Sequence, residues 1–285
     1  MAVKEKPSYC AGMVRRLDRD RFLCTLFAPP ERREALFALY AFNLEIARTP
    51  ELVQEPILGS VRLQWWRDTI AAIYEGQPPA HEVALALARA IADFGLTRGY
   101  FDRLLEAREF DFAGAPPEDM ESLIAYAGAT SATLNFLALE VLDAGGGSDA
   151  RVDAQDAGRD VGIAWALTGL IRAIPFHLRA GRVYLPASLL ARENLRAADL
   201  RAFSPAMGRI VEDVAGSARG FLASARSHER GAPDWARPVL LPGVLASSYL
   251  SRIERADFDP FDLGIEGGGL RRQVRLWLAA AGGKI

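Results

Sequence analysis

The sequence predicts an all-α protein. Apolar residues recur three and four positions apart in segments 36–43 and 83–90, which is the spacing of one helix face. Segment 160–174 is apolar-rich and has few breaks, as expected for a long helix. No segment alternates apolar and polar residues up to a hairpin turn, as an antiparallel strand would. We therefore expect helices throughout and no sheet.

Clusters of proline and glycine divide the chain into these helices. Such clusters favour turns because proline lacks a backbone N–H and glycine tolerates positive φ. They occur at 29–30, 76–79, 114–117, 145–147 and 231–233. After 116–117, Glu118 and Asp119 suit the positive end of a new helix, and a last helix is predicted over 270–281. No loop is long enough for an interdomain linker, so we predict one domain over residues 1–285.

Composition excludes several classes of function. Half of the 285 residues are hydrophobic, and the net charge of −2 gives no overall attraction to nucleic acid or anionic lipid, so no nucleic-acid partner is expected. Cys10 and Cys24 lack C-x-x-C spacing, which indicates neither zinc nor disulfides and favours a reduced, cytoplasmic environment. The most apolar stretch, 239–250, contains Pro242 and Gly243, so no transmembrane segment is expected.

Residues 167–186 contain the most informative motif. Two aspartates four residues apart share one helix face, and two such pairs facing each other can hold Mg²⁺ and a diphosphate. Leu167–Arg172 and Gly181–Pro186 resemble the two ends of such a motif in the squalene/phytoene synthase family, L-T-N-I-L-R-D-V-x-x-D followed by G-R-x-Y-L-P. At the two aspartate positions this chain has Ala173 and His177, neither of which replaces an aspartate as a Mg²⁺ ligand.

Residues 39–51 resemble the family's first acidic motif, Y-A-F-C-R-x-x-D-D-x-x-D, with the same loss. By position, Ala47, Arg48 and Glu51 replace the three aspartates, and only Glu51 is acidic. The cation at Arg48 would repel Mg²⁺, and Pro50 is expected to end or kink the helix just before it. We therefore expect no metal site and no catalytic residue.

The resemblance extends over nearly the whole chain and implies an isoprenoid-synthase-like helical bundle around a central cavity. Segments 43–45, 172–177 and 252–261 are similar to a non-synthase branch that includes the mitochondrial assembly factor of respiratory complex I, NADH:ubiquinone oxidoreductase. This implies an inactive protein that needs no cofactor and assists complex I assembly by contacting a subunit or an assembly intermediate. It also implies a cytoplasmic location, either free or peripheral on the inner face of the cytoplasmic membrane.

Two alternative functions stay open. An active head-to-head prenyl transferase would condense two isoprenoid diphosphates, and only this alternative requires Mg²⁺ as a cofactor. A lipid carrier or sensor would hold an isoprenoid or another lipid in the cavity without chemistry.

Seven residues are candidates for the cavity or a ligand site. They are Tyr40, Asn43, Glu45, Arg172, His177, Arg182 and Tyr184. The two arginines suit phosphate contacts or brace helix ends, and His177 is either a general base or a hydrogen-bonded structural residue. We expect Glu45 to contact His177 or Arg172, which would replace a metal bridge by a direct polar link.

Two further pairs have a structural and a functional interpretation. Asp156 and Asp160 have the Asp-x-x-x-Asp spacing, but they lie more than three turns before the family's metal position, so we predict a solvated helix face over a relocated Mg²⁺ site. Trp65 and Trp66 are adjacent, so at most one can face the core fully. Core packing is predicted for the pair, with an exposed binding patch as the alternative.

Overall fold

The computed structural model describes residues 7–53, 55–143, 147–262, 264 and 269–282. Within these ranges the regular structure is helical, as the apolar spacing predicts. The helices of the first half are α1 (Tyr9–Leu17), α2 (Arg19–Thr25), α3 (Pro30–Ala47), α4 (Thr49–Leu52), α5 (Pro56–Tyr74), α6 (Glu82–Phe94), α7 (Arg98–Ala107), α8 (Met120–Ala127) and α9 (Thr133–Leu142). Those of the second half are α10 (Ser148–Arg172), α11 (Ile174–Arg179), α12 (Ala187–Arg192), α13 (Pro205–Glu229), α14 (Arg237–Arg255) and α15 (Gly269–Gly282). A 3₁₀ segment, Arg108–Phe112, follows α7, and a π-helical turn, Gly128–Ala132, joins α8 to α9.

Side-chain caps fix where several helices begin. The Asp18 carboxylate accepts from the Arg21 amide at 3.0 Å, and the Asp119 carboxylate accepts from the Ser122 amide at 2.8 Å. Each cap satisfies an N–H that the first helical turn leaves without a partner. The helix start predicted after residues 116–117 is confirmed, with Asp119 as its N-cap.

Helices α3 and α10 form the interior of the bundle. Every residue from 35 to 44 is buried, and α10 packs against α9, α13 and α14. Gly162 lets α10 approach the π-helical turn closely, because a Cβ at this position would lie 2.6 Å from the Cα of Ala132. Interior packing tolerates no such overlap, so these two backbones are in direct contact.

Most predicted helix boundaries agree with the structure. Helix α3 ends at Ala47, so the break predicted before Pro50 is confirmed, although Pro50 then lies in the first turn of α4. Helix α10 begins at Ser148, well before the predicted segment. It ends at Arg172, and a new helix, α11, follows with Pro175 in its first turn. Helix α15 matches the predicted last helix. Residues 145 and 146 of the predicted glycine loop lie outside the described residues.

The stretch Met120–Leu142 runs as one continuous helix through α8, the π-helical turn and α9. Among the described residues, it is the one helix whose length and apolar composition would allow it to cross a membrane. Inside the protein it packs against α10, and 61% of its most apolar 18-residue stretch is buried. A buried core helix meets the same criteria, and the absence of a transmembrane segment stays a prediction.

Candidate functional site

The segments that resemble the two acidic motifs meet at one cavity. It has a volume of about 760 Å³. Its lining comes from three parts of the chain, namely Pro50, Glu51 and Val53; Asp111, Phe112 and Gly114; and Ala173, Phe176, His177, Ala180 and Arg182. The structure therefore places the degenerate aspartate positions 51, 173 and 177 around the same space.

The remaining acid of the first motif is already paired. Glu51 is half-exposed, and its Oε2 accepts from the Arg48 Nε at 2.8 Å. The contact forms because the chain turns between α3 and α4, which brings residues three apart together. Arg48 thus offsets the charge of the one carboxylate that the first motif retains.

The two former aspartate positions of the second motif contribute uncharged groups to the cavity. Ala173 separates α10 from α11, and the His177 amide donates to the Ala173 carbonyl at 2.9 Å, which places both residues on the cavity wall. Burial and the nearby Arg182 guanidinium lower the pKa of His177 to about 4, although Asp111 acts in the opposite direction. His177 is therefore neutral at physiological pH and a weak base.

Two residues that line the cavity, His177 and Arg182, each carry a polar group without a protein partner among the described residues. The His177 Nδ1 is buried without a hydrogen-bond partner, so the predicted hydrogen-bonded structural role is not met at this atom. Gly181 has a φ of +69°, which turns the chain sharply before Arg182. Within the described part of the chain, the Arg182 guanidinium forms no hydrogen bond or ion pair, while its residue lines the cavity.

A buried polar network lies behind this wall, centred on Asp111, which the motif analysis did not select. Asp111 Oδ1 accepts from the hydroxyls of Tyr126 at 2.6 Å and Tyr184 at 2.8 Å. The Arg108 Nη1 lies 3.4 Å from Asp111 Oδ2 and donates to the Tyr126 hydroxyl oxygen at 2.8 Å. Its Nη2 reaches Asn43 Oδ1 at 3.4 Å. Asn43 and Tyr184, both predicted site residues, thus join through Arg108 and Asp111.

Tyr184 also connects this network to His177. Their ring centroids are 4.6 Å apart. Burial and the Asp111 carboxylate raise the pKa of the Tyr184 hydroxyl, so it stays protonated and donates its hydrogen bond. Four of the seven predicted residues, Asn43, His177, Arg182 and Tyr184, therefore belong to the cavity or its supporting network.

Glu45 lies elsewhere, so the expected contact with His177 or Arg172 is wrong. Its carboxylate accepts a hydrogen bond from the guanidinium of Arg62 on α5. Helix α3 directs Glu45 towards α5, whereas His177 belongs to α11 on another side of the cavity.

Tyr40 and Arg172 both lie away from the cavity lining, each in contact with other aromatic or charged side chains. The Arg172 guanidinium carbon lies 3.7 Å from the ring centroid of Tyr249, whose hydroxyl donates to Asp20 at 2.8 Å. Tyr40 is buried, with the guanidinium carbon of Arg21 5.6 Å from its ring centroid. The break of the helix at Ala173 explains why Arg172 and His177 point to different places.

These residues do not fit a magnesium–diphosphate site. The cavity has two carboxylates, and both Glu51 and Asp111 are engaged by protein donors. Positions 173 and 177 supply a methyl group and a neutral imidazole, and Mg²⁺ prefers oxygen ligands. Across the described ranges, no group of three His, Cys, Asp or Glu side chains is arranged to hold a metal ion.

Asp156 and Asp160 do not form a solvated pair, so that prediction is wrong for Asp160. The Asp160 side chain is 1% exposed, its Oδ1 accepts from the Arg159 Nε at 3.0 Å, and its Oδ2 has no partner. Asp156 is partly exposed and accepts from the Arg159 Nη1 at 3.0 Å. Both carboxylates thus share one arginine.

The two tryptophans separate as their adjacency requires. Trp66 is fully buried, whereas Trp65 is 40% exposed, so core packing is wrong for Trp65. Exposed Ile57, Leu58 and Val61 precede it on the same helix, and together these four residues form an apolar row on α5.

Comparisons with known proteins agree with this geometry. A family model described as squalene/phytoene synthase matches residues 14–278. The Bos taurus protein "NADH dehydrogenase (ubiquinone) complex I, assembly factor 6" is 34% identical over 255 residues, which cover 89% of this chain and 75% of the relative. Phytoene synthase 3 of Zea mays is 27% identical over 264 residues, which cover 88% of this chain and 60% of that protein.

A solved structure extends the comparison to the fold. The crystal structure of a dehydrosqualene synthase in complex with ligand has a TM-score of 0.83 and 17% identity, and covers 96% of this chain and 94% of that chain. The helical architecture is therefore that of the isoprenoid synthases. Because the family model spans nearly the whole sequence and the fold agrees with it, the chain belongs to the squalene/phytoene synthase family.

Proposed function

We propose that this protein is a catalytically inactive member of its family that acts as an assembly factor for respiratory complex I, NADH:ubiquinone oxidoreductase. The similarity to the Bos taurus assembly factor, 34% over 89% of this chain, supports the assembly role. The observation that carries the loss of catalysis is the charge of the cavity. Its two carboxylates are each engaged by an arginine, and Arg182 adds a positive charge that no ion pair offsets within the described residues.

The charge argument concerns the first chemical step of a prenyl transferase. Ionising a prenyl diphosphate leaves a highly negative group, which Mg²⁺ and its carboxylate ligands must hold. Loss of one electrostatic donor typically lowers a rate about a hundred- to a thousandfold. With no free carboxylate at positions 47, 48, 173 or 177, we propose that the protein requires no metal or other cofactor.

We further propose that the cavity holds an isoprenoid or another lipid through an anionic head group. The support is geometric, because Arg182 lines the cavity and its guanidinium has no hydrogen-bond or ion-pair partner among the described residues. Arginine binds phosphate oxygens through parallel hydrogen bonds without a metal.

The proposed setting is the cytoplasm, with the protein peripheral on the inner face of the cytoplasmic membrane. Complex I is itself membrane-bound, so a factor that contacts its subunits or assembly intermediates must work at that surface. The proposed partner is therefore a complex I subunit or intermediate, and no nucleic acid is involved.

A deletion strain of the source organism tests the assembly role. We expect its membranes to lose NADH:quinone oxidoreductase activity and assembled complex I, and a wild-type copy to restore both. Glu51→Gln removes the last acid of the first motif and should also restore both fully, because no magnesium chemistry depends on it. A strain with normal NADH oxidation that lacks a C30 or C40 isoprenoid would contradict the proposal.

Purified protein tests the absence of catalysis separately. Incubation with farnesyl diphosphate and Mg²⁺ should release no pyrophosphate above a protein-free blank. Turnover to a hydrocarbon that Glu51→Gln abolishes would establish the prenyl transferase instead. Gentle extraction followed by mass spectrometry identifies a cavity lipid, whose amount should fall in Arg182→Gln and stay unchanged in Arg179→Gln, which alters an exposed arginine on α11.

A further inference from the structure

Helix α15 exposes an apolar face that nothing in the described protein covers. Val274, Trp277 and Leu278 are 51%, 64% and 57% exposed, and their spacing of three and four residues puts them on one face. The opposite face is anchored, since Leu276 is buried with residues of α14 and the Arg237 Nη1 donates to the Ala280 carbonyl at 2.7 Å. The helix is therefore held with its most apolar side towards solvent.

A group of arginines adjoins this face. Residues 269–282 include three arginines and no acidic residue. Arg272 and Arg275 lie near Arg252 and Arg255 of α14. Burial and repulsion from the other three arginines lower the pKa of Arg252, although Tyr249 acts in the opposite direction. Crowding of four like charges indicates a strongly positive local potential.

Acidic residues offset only part of this charge. Asp20 accepts from the Arg272 Nη1 at 2.6 Å, and Asp262 lines a small surface pocket with Arg252 and Arg255. Glu254, on the same helix, is occupied by Arg219. Arg255 and Arg275 are both exposed, and neither has an ion pair among the described residues.

We propose that the exposed face of α15 and these four arginines form a docking surface for an anionic lipid bilayer. A 14-residue helix is about 21 Å long, and helices of this kind lie in the membrane interface with their apolar side towards the acyl chains. Trp277 suits the interface, where tryptophan concentrates. The basic flank supplies the attraction to anionic head groups.

The apolar row on α5 provides the contrast that favours a membrane over a generic sticky surface. Its residues are as exposed as those of α15, but the arginines of this helix are neutralised. Arg62 pairs with Glu45, and the Arg67 Nη2 lies 2.6 Å from Glu109 Oε1. An anionic bilayer would therefore be attracted to α15 and not to α5.

Vesicle flotation of the purified protein tests this proposal, which rests on the proposed peripheral location but not on the assembly role. We expect binding to vesicles of phosphatidylglycerol and phosphatidylcholine, and at least about tenfold weaker binding to phosphatidylcholine alone. Arg255→Gln with Arg275→Gln should lower binding to the anionic vesicles about 25-fold, at about fivefold for each charge. Val274→Ser with Trp277→Ser should lower it about tenfold or more.

The matched control is Ile57→Ser with Val61→Ser, which removes similarly exposed apolar side chains from α5 and should leave binding unchanged. Equal binding to both vesicle types, or an equal loss in the α5 control, would overturn the proposal. The proposal would also be overturned if the protein sediments as a dimer and the α15 substitutions convert it to a monomer without reducing vesicle binding. The exposed face of α15 would then contact a second copy of the chain. If the protein does not bind vesicles but the deletion strain lacks complex I, the docking surface is wrong and the assembly role stands. If the protein binds vesicles but the deletion strain has normal complex I, the assembly role is wrong and the docking surface stands.

Discussion

Replacing Asp111 by asparagine tests whether the buried network holds the cavity wall in place. The Asp111 side chain is 2% exposed, and it accepts from the Tyr126 and Tyr184 hydroxyls at 2.6 and 2.8 Å. Asparagine keeps the shape but removes the charge, and its amide group turns one acceptor into a donor. Arg108, whose side chain is 14% exposed, would lose the carboxylate that compensates its charge.

The expected loss of stability follows from that uncompensated charge. Breaking a buried pair costs about 3–5 kcal/mol. The entropy of unfolding is about 2.1 cal/mol/K per residue, or about 600 cal/mol/K for 285 residues, so the midpoint of thermal unfolding should fall by about 5–8 °C. Circular dichroism of a thermal melt measures this shift.

Asp102→Asn is the matched control for this measurement. Asp102 and Arg98 form an exposed pair at 3.6 Å, worth about 0.5 kcal/mol, so the midpoint should move by about 1 °C. Adding Arg108→Gln to Asp111→Asn should recover part of the lost stability, because no buried cation then remains. Equal shifts for Asp111→Asn and Asp102→Asn, or purely additive effects in the double variant, would refute the network as the element that braces the cavity.

Two further predictions concern packing and protonation. Gly162→Ala should lower the free energy of unfolding by about 3 kcal/mol, because the new Cβ clashes with the Ala132 backbone. Gly169→Ala in the same helix should raise it by up to about 1 kcal/mol, because no atom lies within 4 Å of the new Cβ. Denaturant titration measures both changes. The pKa of His177 is about 4 in the folded protein, against an ordinary value of 6.5. The unfolded chain therefore binds a proton more readily than the folded protein between these values. The free energy of unfolding should not change with His177 protonation above about pH 6.5, and should decrease as the pH falls towards 4. Thermal melts at each pH should show a shallower decline for His177→Gln, and NMR titration of the three histidines should show one with a low pKa.

Sequence reasoning identified the two degenerate motifs because their positions are local. Positions 173 and 177 lie four residues apart, and Pro50 and Pro175 indicate helix ends because proline lacks a backbone N–H. These features need no knowledge of tertiary contacts. Residues 51, 173 and 177 all line the cavity. What spacing cannot supply is the rotation of each helix about its axis, and for this reason Glu45 was paired with the wrong partner.

Asp111 was missed for a related reason. Its partners Tyr126 and Tyr184 are 15 and 73 residues away, so no local pattern marks it as the centre of a network. The only sequence signal was an arginine three positions before it, at 108, a spacing that usually indicates a surface ion pair. Asp160 was misjudged because local spacing cannot show that α10 packs against α9, α13 and α14 on several sides, so a carboxylate that spacing alone places on an open face is buried.

Net charge was also a poor guide, and the reason links the two proposed sites. A net charge of −2 predicts no attraction to anionic lipid, but the charges are distributed unevenly. Among the described residues, the ion pairs at the cavity leave Arg182 in excess, and beside α15 the exposed Arg255 and Arg275 have no ion pair. Both places therefore favour an anionic group bound directly by arginine, without a divalent ion.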